Sequence, residues 1–216
     1  MGASDKKATE GAVQPPNPWD PLVRISHWAI AAAVLANGFI TKPGGIAHVW
    51  VGWAVIGVFA SRLIWAVVGP QEARFSAFPP SPSAALHHIG NLLRGRAREY
   101  PSHNPAAAIM VYTLWACLML VTATGLLMTD GKSPTAIAEE RAAIAAGNWS
   151  VLVKSGSEGN DNKGEFSMRV AGEVHELAAN LLLILAAVHV GGVLIESRVL
   201  GRNLIRPMIV GKRRQS

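Results

Sequence analysis

Two histidines inside an apolar run are the first residues whose type and spacing could do chemistry. His175 and His189 lie fourteen residues apart within 169–196, RVAGEVHELAANLLLILAAVHVGGVLIE, a stretch long enough to cross a bilayer. At about 100° per residue, fourteen residues fall about 40° short of four full helical turns, so both imidazoles share one face, about 21 Å apart along the axis. Ionisable or polar side chains at membrane depth are costly, turn toward the protein interior and mark functional sites. A single such histidine is as readily a packing residue held by an interhelical hydrogen bond. Two on one face favour a ligand role, because neutral imidazole binds metals, and the remaining ligands must then come from other helices.

The chain of 216 residues is half hydrophobic and only 16% charged, against roughly one-quarter charged in soluble domains. Its class is therefore all-α integral membrane. The net charge of +6 does not point to nucleic acid, because the basic residues flank apolar spans instead of interleaving with aromatics on a polar domain; they follow the loop bias of membrane proteins. Cys117 is the one cysteine, which excludes a disulfide framework and the C-x-x-C-H attachment of c-type haem. Within an apolar run it reads as packing.

Residues 1–18 are polar, lack the apolar core of a secretory signal and read as a flexible cytoplasmic tail, leaving 19–216 as one membrane domain. Four spans are predicted: about 22–41, with Arg24, His27 and an interfacial Trp28; about 46–68, opening on His48 and holding Arg62 near its far end; about 105–129, free of histidine and closing the bundle; and about 170–196. The turn Lys42-Pro43-Gly44-Gly45 brings the second span back antiparallel to the first. Gly52, one turn beyond His48, leaves room either for a flat macrocycle or for a neighbouring helix. Arg62 is costly against lipid, so it is expected either to snorkel or to pair with an anionic group. After the second span, SAALHHIGNLLRG predicts an interfacial amphipathic helix on which His87 and His88 both read as solvated. His103 and Asn104 stand before the third span. The 130–168 loop holds one plausible helix, TAIAEERAAIAAG, and a loop-like stretch, SGSEGNDNKG, rich in turn residues.

Fourteen of the twenty Lys and Arg fall on the side of the two termini, the 69–104 loop and Arg62, and six on the other. The positive-inside rule then puts both termini in the cytoplasm of a multi-pass inner-membrane protein. His27 and His189 come to matching depth near the cytoplasmic face, and His48 and His175 to matching depth near the outer face. Two histidines from different helices at each of two levels are the arrangement expected of bis-histidine b-type haem in a helical bundle. Without Cys, Asp or Glu at the same level, zinc or copper is under-coordinated. Glu173 and Glu176, flanking His175, read as interfacial charges favoured at a helix start or as a proton relay with it.

WDPLVRISHW near the start, HVWVG opening the second span, VHELAANLLLILAAVH and the closing GRNLIRPMIVGKRR together resemble the prokaryotic cytochrome b561 family and the related b-type cytochrome subunits of nickel-iron hydrogenases. The likeness covers nearly all of the chain outside 1–18 and 130–168. It implies a four-helix transmembrane bundle with two haems b, one ligated by His27 and His189 and the other by His48 and His175, with Arg24 and Arg62 in places suited to haem propionates. The function it implies is electron transfer across the membrane between a quinone pool and a periplasmic or membrane redox partner. Both axial positions being filled by protein, any quinone chemistry falls at a haem edge or in a partner, with His103 and Asn104 or Glu173 lining the quinone site; no catalytic residue is assigned. Two alternatives stand beside this. One is a membrane-anchor cytochrome b subunit that docks a periplasmic cytochrome c or a hydrogenase-like enzyme through 130–168. The other, of a different class, is a haem-free transporter or proton channel with a histidine relay.

Overall fold

The computed structural model describes residues 20–96, 100, 103–150 and 161–210, apart from the side chains of 72 and 161–163. The described residues are helical, with no strand: α1 (Pro21–Phe39), α2 (Ile46–Val68), α3 (Pro82–Leu93), α4 (Pro105–Met128), α5 (Pro134–Ala145), α6 (Asp161–Val199) and the short α7 (Arg206–Val210), with 3₁₀ turns at Gln71–Ala73 and Phe75–Ala77.

Four of these helices begin alike, on a side chain that accepts from the backbone followed at once by proline. Asp20 Oδ1 accepts from Leu22 N at 2.9 Å and Val23 N at 3.3 Å ahead of α1. Asn104 Oδ1 accepts from Ala107 N at 2.7 Å ahead of α4. Ser81 and Ser133 do the same for α3 and α5, from Ala84 N and Ala136 N. Each cap satisfies an orphan N–H and contributes about 1 kcal/mol, and proline at the next position forfeits an N–H that has no helical partner.

Four helices are long and apolar enough to cross a membrane, so the chain is a multi-pass membrane protein. Large aliphatic side chains stand exposed along them, among them Ile25, Leu35, Ile64, Leu120, Ile184 and Val190; lipid is the solvent that makes such a surface stable. The predicted spans 22–41, 46–68 and 105–129 match α1, α2 and α4 to within two residues at each end, and the two predicted loop helices are α3 and α5.

The fourth span needs correction, because α6 starts at Asp161 and runs for 39 residues, about 58 Å at 1.5 Å per residue. Hydropathy marks where lipid ends, not where the helix ends. With no proline to break it, α6 continues through the polar residues ahead of 170, and Arg169 stacks on Phe166 one turn earlier, 5.7 Å from its ring centre. The last residues of the predicted SGSEGNDNKG loop are thus helical; its first part, and the predicted tail 1–18, lie outside the described residues.

The described residues fall into two compact units, one drawn from Met1–Ile25, Ile64–Tyr112 and Val188–Ser216, the other from Ser26–Leu63 and Thr113–Ala187. In the first, Asp20 Oδ1 also accepts from Trp65 Nε1 at 3.1 Å, fixing the start of α1 to the end of α2. There the 3₁₀ turns set Phe75 and Phe78 against Tyr112 of α4, at 5.9 and 5.7 Å between ring centres. In the second, Val55 and Phe59 of α2, Cys117 and Leu118 of α4 and Leu182 of α6 form the core, with Ile30, Ala33 and Val34 of α1 packed on it. Cys117 is a packing residue, as expected. Gly38 lets α1 and α6 approach closely: a Cβ there would stand 3.0 Å from Leu183, the small-residue contact typical of membrane helices.

Candidate functional site

His48 opens α2 and His175 lies within α6, and the second unit brings their rings together, half-buried, with centres 6.1 Å apart and planes at 64°. The hydrogen bonds around each ring settle its tautomer. His175 Nδ1 lies 3.0 Å from the Val121 carbonyl and 3.1 Å from Thr124 Oγ1. A carbonyl only accepts, so Nδ1 carries the proton; the Thr124 hydroxyl in turn donates to the Leu120 carbonyl at 2.7 Å and keeps its lone pairs for the ring. On His48, Nδ1 faces Thr41 Oγ1 at 3.4 Å, and that hydroxyl donates to Asn37 Oδ1 at 2.9 Å, which again leaves Nδ1 as donor. Asn37 Nδ2 also holds the His48 backbone carbonyl at 3.2 Å. Both imidazoles therefore present the Nε2 lone pair, the state a metal ligand needs, with the other nitrogen fixed by an outer partner.

Space beside the rings is kept open by glycine. At Gly125 an added Cβ would stand 3.4 Å from His175 Cε1, and at Gly52, one turn past His48, it would meet nothing within 4 Å. Gly52 faces room, not a neighbouring helix. Among the described residues no three His, Cys, Asp or Glu side chains converge on one point, so the donor set here is a pair of imidazoles.

A model of the prokaryotic cytochrome b561 family matches residues 18–211. The chain belongs to that family. No curated protein and no solved structure matched it. As a prokaryotic cytochrome b561 it is a membrane b-type haem cytochrome of electron transport. The His48–His175 pair suits such a group: two neighbouring neutral imidazoles, each with Nδ1 engaged by an outer partner, would offer their Nε2 atoms to iron.

The other predicted site residues of the cytochrome lie as follows. His27, in the second unit, has its ring edge-on to Trp28 at 5.3 Å; His189 is half-buried on the part of α6 that belongs to the first. Arg62 does not snorkel. It is 6% exposed, with its guanidinium 5.1 Å from the centre of the Trp115 ring, so a desolvated cation rests on an aromatic face. Arg24 donates through Nε to the Met208 carbonyl at 3.3 Å and through Nη2 to the Ile209 carbonyl, which ties α1 to α7. Glu173 and Glu176 are exposed, as interfacial charges would be. His103 packs on Phe78, 4.6 Å between centres. His87 is exposed as predicted, whereas His88 is not solvated: one residue turns it about 100° onto the inner face of α3, beside Ala85, and 3% of it is exposed.

Sequence reasoning missed Val121, Thr124 and Gly125, because α4 carries no histidine and read only as bundle closure. A polar hydroxyl and a glycine one residue apart in an apolar span were the available signal. Outer partners of a metal-binding histidine are worth 10–100-fold in affinity, so if His175 ligates haem, T124V is expected to speed loss of that haem about tenfold, measured as haem transfer to a scavenging apoprotein.

Proposed function

We propose that this cytochrome b561 holds two haems b in a four-helix bundle and passes single electrons across the membrane between a quinone pool and a redox partner. The observation that carries the proposal is the pair of neighbouring imidazoles, His48 and His175, with ring centres 6.1 Å apart and both Nδ1 atoms engaged. His27 and His189 are proposed to hold the second haem, on the strength of their matched depth in the sequence and the family's likeness. A bound haem b supplies an iron that changes oxidation state by one electron. The chain supplies the axial nitrogens, the apolar walls that set the potential, and Arg62 as the cation for an anionic haem edge; Arg24 has Nε and Nη2 committed to α7 and offers only its remaining nitrogen. With two histidines offered at each site, the chain would leave a bound iron no position for a small ligand, so the proposed reaction is electron transfer without substrate coordination.

Both termini are proposed to be cytoplasmic, which sets the 130–168 segment, including α5, on the outer face where a periplasmic partner docks. A reporter fused after Gly147 is expected to give an external signal; an internal one reverses the topology and the depths of all four histidines with it. The haem-free relay is disfavoured by membership of a haem family. Visible spectra of the purified protein during a reductive titration test the whole proposal: two low-spin b-type components are expected, and absence of Soret and alpha bands refutes it.

A further inference from the structure

A second polar cluster, with His88 and Asn104 buried and Glu196 half-buried, lies in the unit that carries His189, and the proposed electron transfer makes no use of it. His88 turns Nε2 toward Glu196 Oε1 at 3.7 Å. That is too long for a hydrogen bond, and among the described residues Nε2 has no hydrogen-bond partner. Glu196 Oε2 accepts from Asn104 Nδ2 at 2.6 Å, so the residue that caps α4 also steadies the carboxylate. Behind His88 stands the Tyr100 ring, edge-on at 5.5 Å.

On α6, Glu196 comes seven residues after His189, within about 20° of two full turns and about 10 Å along the axis, so carboxyl and imidazole share one face. Among the described residues the ionisable group set against Glu196 is His88 from α3, with Tyr100 behind it; His189 lies two turns earlier on the same face of α6. From α4 comes only the Asn104 amide, and Arg198, two residues on, is turned about 200° away.

Burying a carboxylate and an imidazole costs free energy that a well-made hydrogen bond or ion pair must offset, and at 3.7 Å that offset is incomplete. A proton changes the balance. With Glu196 ionised and His88 neutral the pair carries one negative charge; with a proton on either group it carries none. Negative charge arriving two turns away, in a medium of low dielectric, favours the protonated form.

We infer that His88 and Glu196 form a proton-accepting site coupled to reduction at His189. As one electron from the cytochrome's donor enters the iron held there, the pair takes one proton from the adjacent aqueous side, and on reoxidation it gives the proton back. Asn104 is a positioning residue for the carboxyl. The inference rests on the proposed ligation of haem by His189.

The test is a redox titration of the holoprotein over a series of pH values. One of the two midpoint potentials is expected to fall as pH rises, with a slope approaching one proton per electron, while the other moves little. E196Q and H88Q are each expected to flatten that slope, and E196Q also to raise the potential on the alkaline side, because a negative charge near the iron is gone. E196D, which keeps the carboxyl, is expected to keep the slope. Reduced-minus-oxidised infrared spectra read the same event without any activity: a carboxyl or imidazole band that changes on reduction in the wild type and is lost in both variants. Two haems with pH-independent midpoints, or a slope that survives in E196Q and H88Q alike, overturn the inference and leave the ligation intact. If E196Q does not assemble, E196D and H88Q decide: equal slopes in the two overturn it. Full haem content in an H189A variant overturns the ligation itself.

Discussion

Replacing His175 with alanine is expected to remove one haem and leave one. The imidazole is held from two sides, by the Val121 carbonyl and the Thr124 hydroxyl, and alanine offers neither a ligand nor anything to fill the space beside Gly125. Replacement of His48 is expected to remove the same haem, because its ring is the one facing His175. Measured haem per chain should fall by half in either variant and no further in the double variant, as expected of two ligands proposed for one iron. Loss of both haems from each single replacement would contradict independent sites, and an unchanged haem content would remove His48 and His175 from the ligand set.

Position 125 is expected to show a sharp size threshold. In G125A the new methyl sits 3.4 Å from His175 Cε1, ordinary contact that the ring accepts, so haem content should hold. G125L adds branches beyond that methyl into the place of the ring, and overpacking of this kind forces neighbours to move. Since His175 is pinned through Nδ1 to the backbone of the same helix, the ring cannot turn aside and keep its hydrogen bond. Haem should be lost at this site and kept at the other, as with H175A, while T124V at the neighbouring position weakens binding without abolishing it. Equal haem content in G125A and G125L would show that this face of α4 does not border the bound group.

What was legible in the sequence follows from what lipid demands. Four spans of apolar residues stand out because each must satisfy its own backbone in hydrocarbon, and histidines inside them stand out because they are costly there. The same logic set the wrong start for α6, since residues ahead of 170 lie where water can solvate a helix and no apolar signal is needed. It also could not reveal what α4 gives to His175. A backbone carbonyl has no signature in the residue that carries it, and Val121 is one more apolar residue of its span until α6 is laid against it. His88 and Glu196, 108 residues apart, each look like an interfacial charge by position; only the fold turns them toward each other. Arg24, expected beside a propionate, spends two of its nitrogens on the carbonyls of Met208 and Ile209, a contact that depends on where the C-terminal segment folds back.

Four imidazoles are proposed to hold two irons in one chain. The most direct measurement is the ratio of extracted haem b to protein in the purified, detergent-solubilised cytochrome, together with the spin state of the iron at low temperature. Two haems per chain, both low-spin, is the result expected; one haem per chain, or a high-spin iron with an open axial position, would contradict it.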